Sequence, residues 1–355
     1  MEKILIKNGT VWDGKRFFES DVLTVNDLVA KIEPNIQDTA DFTYDATGCI
    51  VSAGFVDAHV HILVNPTDRY GMPADIITFP FGVTAAADAG RENGNPAILE
   101  ASMVKNAIFV SVQIRDNQPD ISRLEKALAL YGSRAIGIKV YFDIHVSEVR
   151  DATPLEQICR FAKKRGLIVM VHCSNSPVPM ADILEALNPG DILTHAFHGE
   201  INTARDDSFE SMRRAKERGV IIDTGFAGYV HTDFSIFRQA IDAGVLPDTI
   251  STDITKFSAY IRGGRYGMTL CMSIARHAGM SEEEIFKAVT SAPARALGKS
   301  DLWGTLEVGK PADIAVVKYT DEGYDLTDAA GNNIKSNNGY RCLLTLSNGL
   351  VVYSD

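Results

Sequence analysis

Between residues 49 and 302, short apolar runs rich in Val and Ile alternate with amphipathic segments that stop at a glycine. The runs are 49–61, 82–88, 107–112, 135–142, 167–173, 191–196, 220–224 and 249–253. Most are strand-length and too apolar to show water a face, as in strands covered on both sides. In the segment 154–165, Leu155, Ile158, Cys159 and Ala162 share one helical face, and Gly166 follows, a residue that tolerates the left-handed backbone closing a helix. Segments 207–218, 233–243 and 268–278 stop the same way at Gly219, Gly244 and Gly279. Parallel strands need a crossover between them, so this rhythm specifies βα units. Eight units over roughly 245 residues match a (β/α)8 TIM barrel, an α/β fold.

The chain ends read differently. Residues 1–48 alternate apolar and polar, as in Lys3-Ile4-Leu5-Ile6-Lys7. The stretch from 303 onward does likewise, with turn signals at Val308-Gly309-Lys310-Pro311 and Ser347-Asn348-Gly349. Neither piece has enough apolar surface for a core of its own. The expectation is one small β-sandwich domain built from 1–48 plus 303–355, with a barrel domain at 49–302 inserted into it.

Composition narrows the function. A net charge of −11 opposes binding to nucleic acid or an anionic membrane. No run approaches the ~20 apolar residues of a membrane span. The start of the chain carries charges where a secretory leader has an apolar core. Five scattered cysteines (Cys49, Cys159, Cys173, Cys271, Cys342) have no metal-binding spacing and fit a cytoplasmic protein with reduced thiols.

Polar residues sit where the apolar runs end. His59 and His61, two apart on a strand, point to one face. At the C-terminal end of a barrel strand that face is the active-site mouth, where two imidazoles make half a metal site. A chance pair in a β-run is the alternative. Lys139 faces the same way as Tyr141, with Ile138 and Val140 opposite. A strand-end lysine commonly reaches out to solvent. Held inside a barrel mouth, it is costly to keep charged and its pKa falls. Its neutral amine can then capture CO2 to give a carbamate, whose two oxygens can bridge two cations. His172 and His195 close two successive strands at one level, although a lone buried histidine is more often a core residue. Asp253 ends the last run, either as a helix N-cap or as a carboxylate for metal and proton. Two divalent ions against a carbamate, Asp253 and a bridging hydroxide leave a net positive site, suited to a developing oxyanion.

Gly54-Phe55-Val56-Asp57-Ala58-His59-Val60-His61, Lys139, His172, His195 and Asp253 resemble the amidohydrolase superfamily in order and strand placement. So do Thr290-Ser291-Ala292-Pro293-Ala294-Arg295 and Gly304-Thr305-Leu306-Glu307-Val308-Gly309-Lys310-Pro311-Ala312-Asp313. The likeness spans essentially the whole chain. It implies two divalent ions, usually Zn2+: His59, His61 and Asp253 on the first, His172 and His195 on the second, and a CO2-derived carbamate on Lys139 between them. It implies that Asp253 is the catalytic group that moves a proton from the attacking hydroxide to the leaving group. The lysine points to the dihydroorotase, hydantoinase and deacetylase branch. Deaminases of the superfamily typically carry a Glu soon after the fifth-strand histidine, where this chain has Cys173-Ser174-Asn175-Ser176. Thr194-His195-Ala196-Phe197-His198-Gly199 and the chain length look most like the amidohydrolase/deacetylase subgroup. Relatives are expected to carry a histidine just after the seventh strand, where this chain has Gly225-Phe226-Ala227-Gly228. Of the other histidines, His277 reads as structural, His198 as a support for His195, and His145 and His231 as loop residues without a role.

The expected activity is hydrolysis of an amide or ester in a small, anionic, acylated substrate by metal-bound hydroxide, as in a deacylase. Arg91, Tyr141, Asn175, Arg262 and Arg265 are the candidates for substrate contact. An arginine there can pair bidentately with a substrate carboxylate, and a solvated loop arginine is the other reading of each. The competing readings are a cyclic amidohydrolase, a single-metal deaminase and a catalytically inactive assembly protein. The last conflicts with retention of all six ligand candidates. Histidine and carboxylate donors also accept manganese, iron, cobalt or nickel. Self-association into a homo-oligomer stays open.

Overall fold

The structure, a computed structural model, describes residues 2–64, 70–90, 94–261 and 265–355. Arg91 and Arg262 lie outside the described residues. Seven parallel strands follow one another in sequence order around a curled sheet. They are β1 (Phe55–Val60), β2 (Val83–Ala89), β3 (Lys105–Ser111), β4 (Ala135–Tyr141), β5 (Ile168–His172), β6 (Ile192–Thr194) and β7 (Ile221–Ile222). Residues 249–254 close the ring through single bridges, Asp223 to Thr249 on one side and Ile254 to Val60 on the other. The Asp253 amide donates to the His59 carbonyl at 2.7 Å, and the His61 amide to that of Ile254 at 3.0 Å. The predicted eighth strand is therefore a seam rather than a full strand, because Asp253 leaves the extended conformation at φ 46°. This is the (β/α)8 TIM barrel the rhythm predicts.

Alternation sorts the strand residues. Ala85, Ala87, Ala107, Phe109, Met170 and Ile192 form the inner cluster of the barrel. Ile108, Val110, Ile138, Val140, Val169 and Val171 join the larger core packed against the helices. Lys139 lies between two outward residues, so its side chain enters the barrel. The helices Thr153–Lys163, Glu210–Glu217, Phe234–Asp242 and Met268–His277 occupy the predicted amphipathic segments.

The predicted first strand, 49–61, is two strands. Ile50–Ala53 pairs with Lys3–Trp12 and Ile314–Thr320, outside the barrel. The partner changes at Gly54, whose amide donates to the Asp313 carbonyl while the Phe55 amide donates to that of Gly82. Both halves are buried, so apolarity runs through the switch unbroken. Ile50–Ala53 is one member of an eight-stranded sheet to which both chain ends contribute. Ile6, Val22, Val51, Ile314, Val316 and Leu344 form a core of that sheet. Trp12, Ala315, Val317, Tyr340 and Cys342 join the barrel core instead. Among the described residues no helix is long and apolar enough to cross a membrane.

Trp12 fastens the sheet to the barrel. Its ring lies 4.7 Å from Phe17 and 6.4 Å from Phe286, and its Nε1 donates to Thr290 Oγ1 at 3.4 Å. Trp12→Ala is expected to cost about 3–5 kcal/mol of stability, seen as a lower urea midpoint. An unchanged midpoint would show that the sheet holds without this anchor.

Candidate metal centre

The six predicted residues meet at the C-terminal end of the barrel. His59, Lys139, His172, His195 and Asp253 are buried there, and His61 is nearly so. Asp253 Oδ1 lies 2.9 Å from His61 Nε2 and 3.3 Å from His59 Nε2. Its Oδ2 lies 3.8 Å from His195 Nε2. Lys139 Nζ is 3.1 Å from His59 Nε2 and 3.4 Å from Met170 Sδ. Two donor groups, each within 4.8 Å, are present: His59, His61 and Asp253, and His172, His195 and His231.

His231 has no part in the sequence reading, and the structure corrects that. It lies nine residues past the end of β7, yet its ring is 4.9 Å from His172 and 4.5 Å from His195. A histidine from the seventh βα loop is thus present, beyond Gly225-Phe226-Ala227-Gly228. The loop's length hid it from any strand-end spacing.

Burial sets the charge states. It pushes His59 and His172 down to about 4, helped by the positive charge of Lys139. It pushes His195 well below its ordinary value, with the neighbouring His172 and His231 acting in the same direction. These imidazoles are neutral at pH 7, as metal donors must be. Burial lowers Lys139 to about 8, against the opposing pull of Asp253 and Asp223. For Asp253 burial opposes ionisation, but His59, His61 and Lys139 outweigh it and hold the carboxyl below its ordinary range.

Hydrogen bonds fix which ring nitrogens are free. Thr194 Oγ1 donates to Asp223 Oδ2 at 2.7 Å, so at 2.8 Å it accepts from His59 Nδ1. Asp223 is fully buried and also accepts from Thr249 and Ser251. His195 Nδ1 donates to the Gly225 carbonyl at 2.7 Å. Both rings therefore turn an unprotonated Nε2 toward Asp253, the tautomer a metal ligand requires. Asp253 Oδ1 is buried and makes no hydrogen bond among the described residues, although two ring nitrogens flank it. A buried carboxylate oxygen beside two ring nitrogens fits a cation between them.

The backbone is strained at these residues. His195 and Asp253 hold φ of 61° and 46°, which costs about 1–3 kcal/mol each for a non-glycine residue. Two glycines make the fit. A Cβ on Gly225 would lie 2.6 Å from His195 Nδ1, and one on Gly90 would lie 2.7 Å from Lys139 Cγ. Of the predicted substrate contacts, Tyr141 is half-buried, its ring 5.6 Å from that of His172. Asn175 is partly exposed, with φ 57°, on the loop after β5. Arg265 lines a cleft of about 970 Å³ walled by Met268–His277 and the terminal sheet. None of the six ligand candidates lines that cleft.

The family model described as Amidohydrolase family matches residues 50–352. The chain belongs to the amidohydrolase family. It is 30% identical to a deacetylase of Enterococcus faecalis, with 98% of each chain covered. It is 28% identical to a deacetylase of Agrobacterium fabrum, over 88% of this chain and 82% of that one. Its backbone superposes on a dihydroorotase crystal structure with a TM-score of 0.88 at 24% identity, covering both chains fully. The fold and relatives make it a hydrolase of C–N bonds from a metal-dependent family.

Thr194→Val keeps the shape but removes the acceptor that orients His59. It is expected to weaken metal binding about 10–100-fold in chelator competition. Unchanged affinity would mean that His59 is held by other contacts.

Proposed function

We propose that this enzyme binds two divalent ions, zinc in the resting state, and removes the acyl group of a small anionic amide or ester. The observation that carries this reading is Lys139, fully buried beside two groups of metal donors. Relatives named deacetylase at 28–30% identity support deacylation. In this proposal His59, His61 and Asp253 hold one ion, His172 and His195 the other. The neutral Lys139 nitrogen would add to the carbon of CO2 and lose a proton to solvent, and the carbamate would supply anionic oxygen donors for the ions. When bound, such ions polarise a carbonyl and lower the pKa of water to roughly 7. Asp253 accepts the proton of the attacking water and delivers it to the departing nitrogen or oxygen. Its carboxyl is ionised at neutral pH and so is free of a proton before the reaction. Tyr141 and Asn175 contact the bound molecule, and Arg91 and Arg262 supply positive charge for its anionic group, a role the separate cleft of Arg265 does not favour for that residue. The net charge of −11 and five buried free thiols support a cytoplasmic enzyme that does not bind nucleic acid.

A second reading is a cyclic amidohydrolase. A dihydroorotase of Lactobacillus acidophilus at 25% identity, with 99% of each chain covered, favours it. A panel of N-acyl and O-acyl acids, dihydroorotate and hydantoins separates the two. Turnover of acyl acids alone supports deacylation, and turnover of rings alone overturns it. On the preferred substrate, at saturating added metal, Asp253→Asn is expected to lower kcat by about 10²–10⁴-fold.

The lysine makes a pH prediction. Its neutral fraction rises as pH rises through about 8. Reactivation of the metal-free protein by added metal should therefore be faster on the alkaline side of that value, and faster still with bicarbonate. Lys139→Ala should abolish the bicarbonate effect. Bicarbonate-independent reactivation of the wild type would sink the carbamate.

A further inference from the structure

We propose that His231 is a third nitrogen donor to the ion held by His172 and His195. This rests on the metal-dependent reading above and adds a ligand to it.

Three observations point there. The first is proximity. The donor nitrogens of His172, His195 and His231 all lie within 4.8 Å of one another. The three ring centroids stand 4.4, 4.5 and 4.9 Å apart, at interplanar angles of 50–82°. The rings converge without stacking, as imidazoles around one ion do.

The second is the backbone that brings His231 there. Gly225, Ala227, Gly228 and Tyr229 all have positive φ, at 51°, 51°, 65° and 76°. Ala227 and Tyr229 hold that conformation without glycine's freedom, a strain found where function over-determines the chain. The turn is pinned to the barrel seam. The Phe226 amide donates to the Ser251 carbonyl, and the Ala227 amide to that of Thr252 at 2.9 Å. Gly225 holds His195 through its carbonyl. One turn therefore orients His195 and returns His231 beside it.

The third is Ser174. Its hydroxyl lies 2.8 Å from His172 Nε2 and 2.9 Å from His231 Nδ1. With one proton to give, it sits between the two nitrogens, and Asp143 Oδ2 lies 3.4 Å from the same His172 Nε2.

The donor set then becomes asymmetric. One ion has two imidazoles and a carboxylate, the other three imidazoles. The nitrogen-rich site favours zinc, cobalt or nickel over manganese.

The test uses the full-length protein, stripped of metal and titrated with Co2+. Visible absorption and chelator competition are read for wild type, His231→Ala, His231→Gln and Ser174→Ala. Wild type should take two ions. Both His231 variants should lose at least about tenfold affinity for one ion, with a changed cobalt spectrum, while the other ion is unaffected. Ser174→Ala should match wild type. Wild-type affinity and spectrum in His231→Gln overturn the inference and leave the two-ion reading intact. So does a Ser174→Ala variant with the same loss, because the imidazole would then act through the hydroxyl. If wild type takes one ion, the two-ion reading fails. The inference then stands only if that ion is weakened alike by His231→Gln and His172→Ala. Metal-free thermal midpoints show which variants fold, and the glutamine variant keeps most of the side-chain volume.

Discussion

The site depends on one buried amine. Lys139 enters the barrel from β4 and is shut from water between Met170 and His59. A full charge there is poorly solvated, so its pKa falls toward neutrality. Its stem packs where Gly90 leaves room. The same burial strips protons from His59, His172 and His195. Asp253 is the carboxylate of the cluster kept ionised against burial, because the basic groups around it outweigh the penalty. A dry pocket of lone pairs and one carboxylate is what a cation requires.

The barrel seam holds this pocket in shape. Residues 249–254 are tied to both neighbours by backbone hydrogen bonds, and buried side chains add to these. Asp57 accepts from the Thr252 hydroxyl at 2.6 Å, and Asp223 accepts from Thr249 and Ser251. Asp223 also fixes His59 through Thr194. Barrel closure and ligand orientation thus share hydrogen bonds, so a change to the seam is also a change to the site.

Much of this was legible in the sequence, for a physical reason. Strands buried on both faces must be apolar, so a polar residue at a strand end stands out. His172, His195 and Asp253 sit at such ends, His59 and Lys139 lie within two residues of one, and the structure brings them together. Helix stops were as clear, because Gly166, Gly219, Gly244 and Gly279 take the left-handed conformation. Three features left no pattern. The partner switch at Gly54 lies inside a run that is apolar on both sides. The seam joins its neighbours through isolated bridges and not a continuous ladder, a difference that apolar periodicity does not register. His231 reaches the site through a turn of left-handed residues, and a turn's direction is not written in its spacing.

The central claim is that two ions share a carboxylated Lys139. The most direct measurement is metal content per chain on protein purified without chelator, with the mass of the Lys139 segment read near neutral pH. The account predicts about two ions and one added CO2 on that lysine. About one ion with an unmodified Lys139 would contradict it and return the lysine to a simple buried amine.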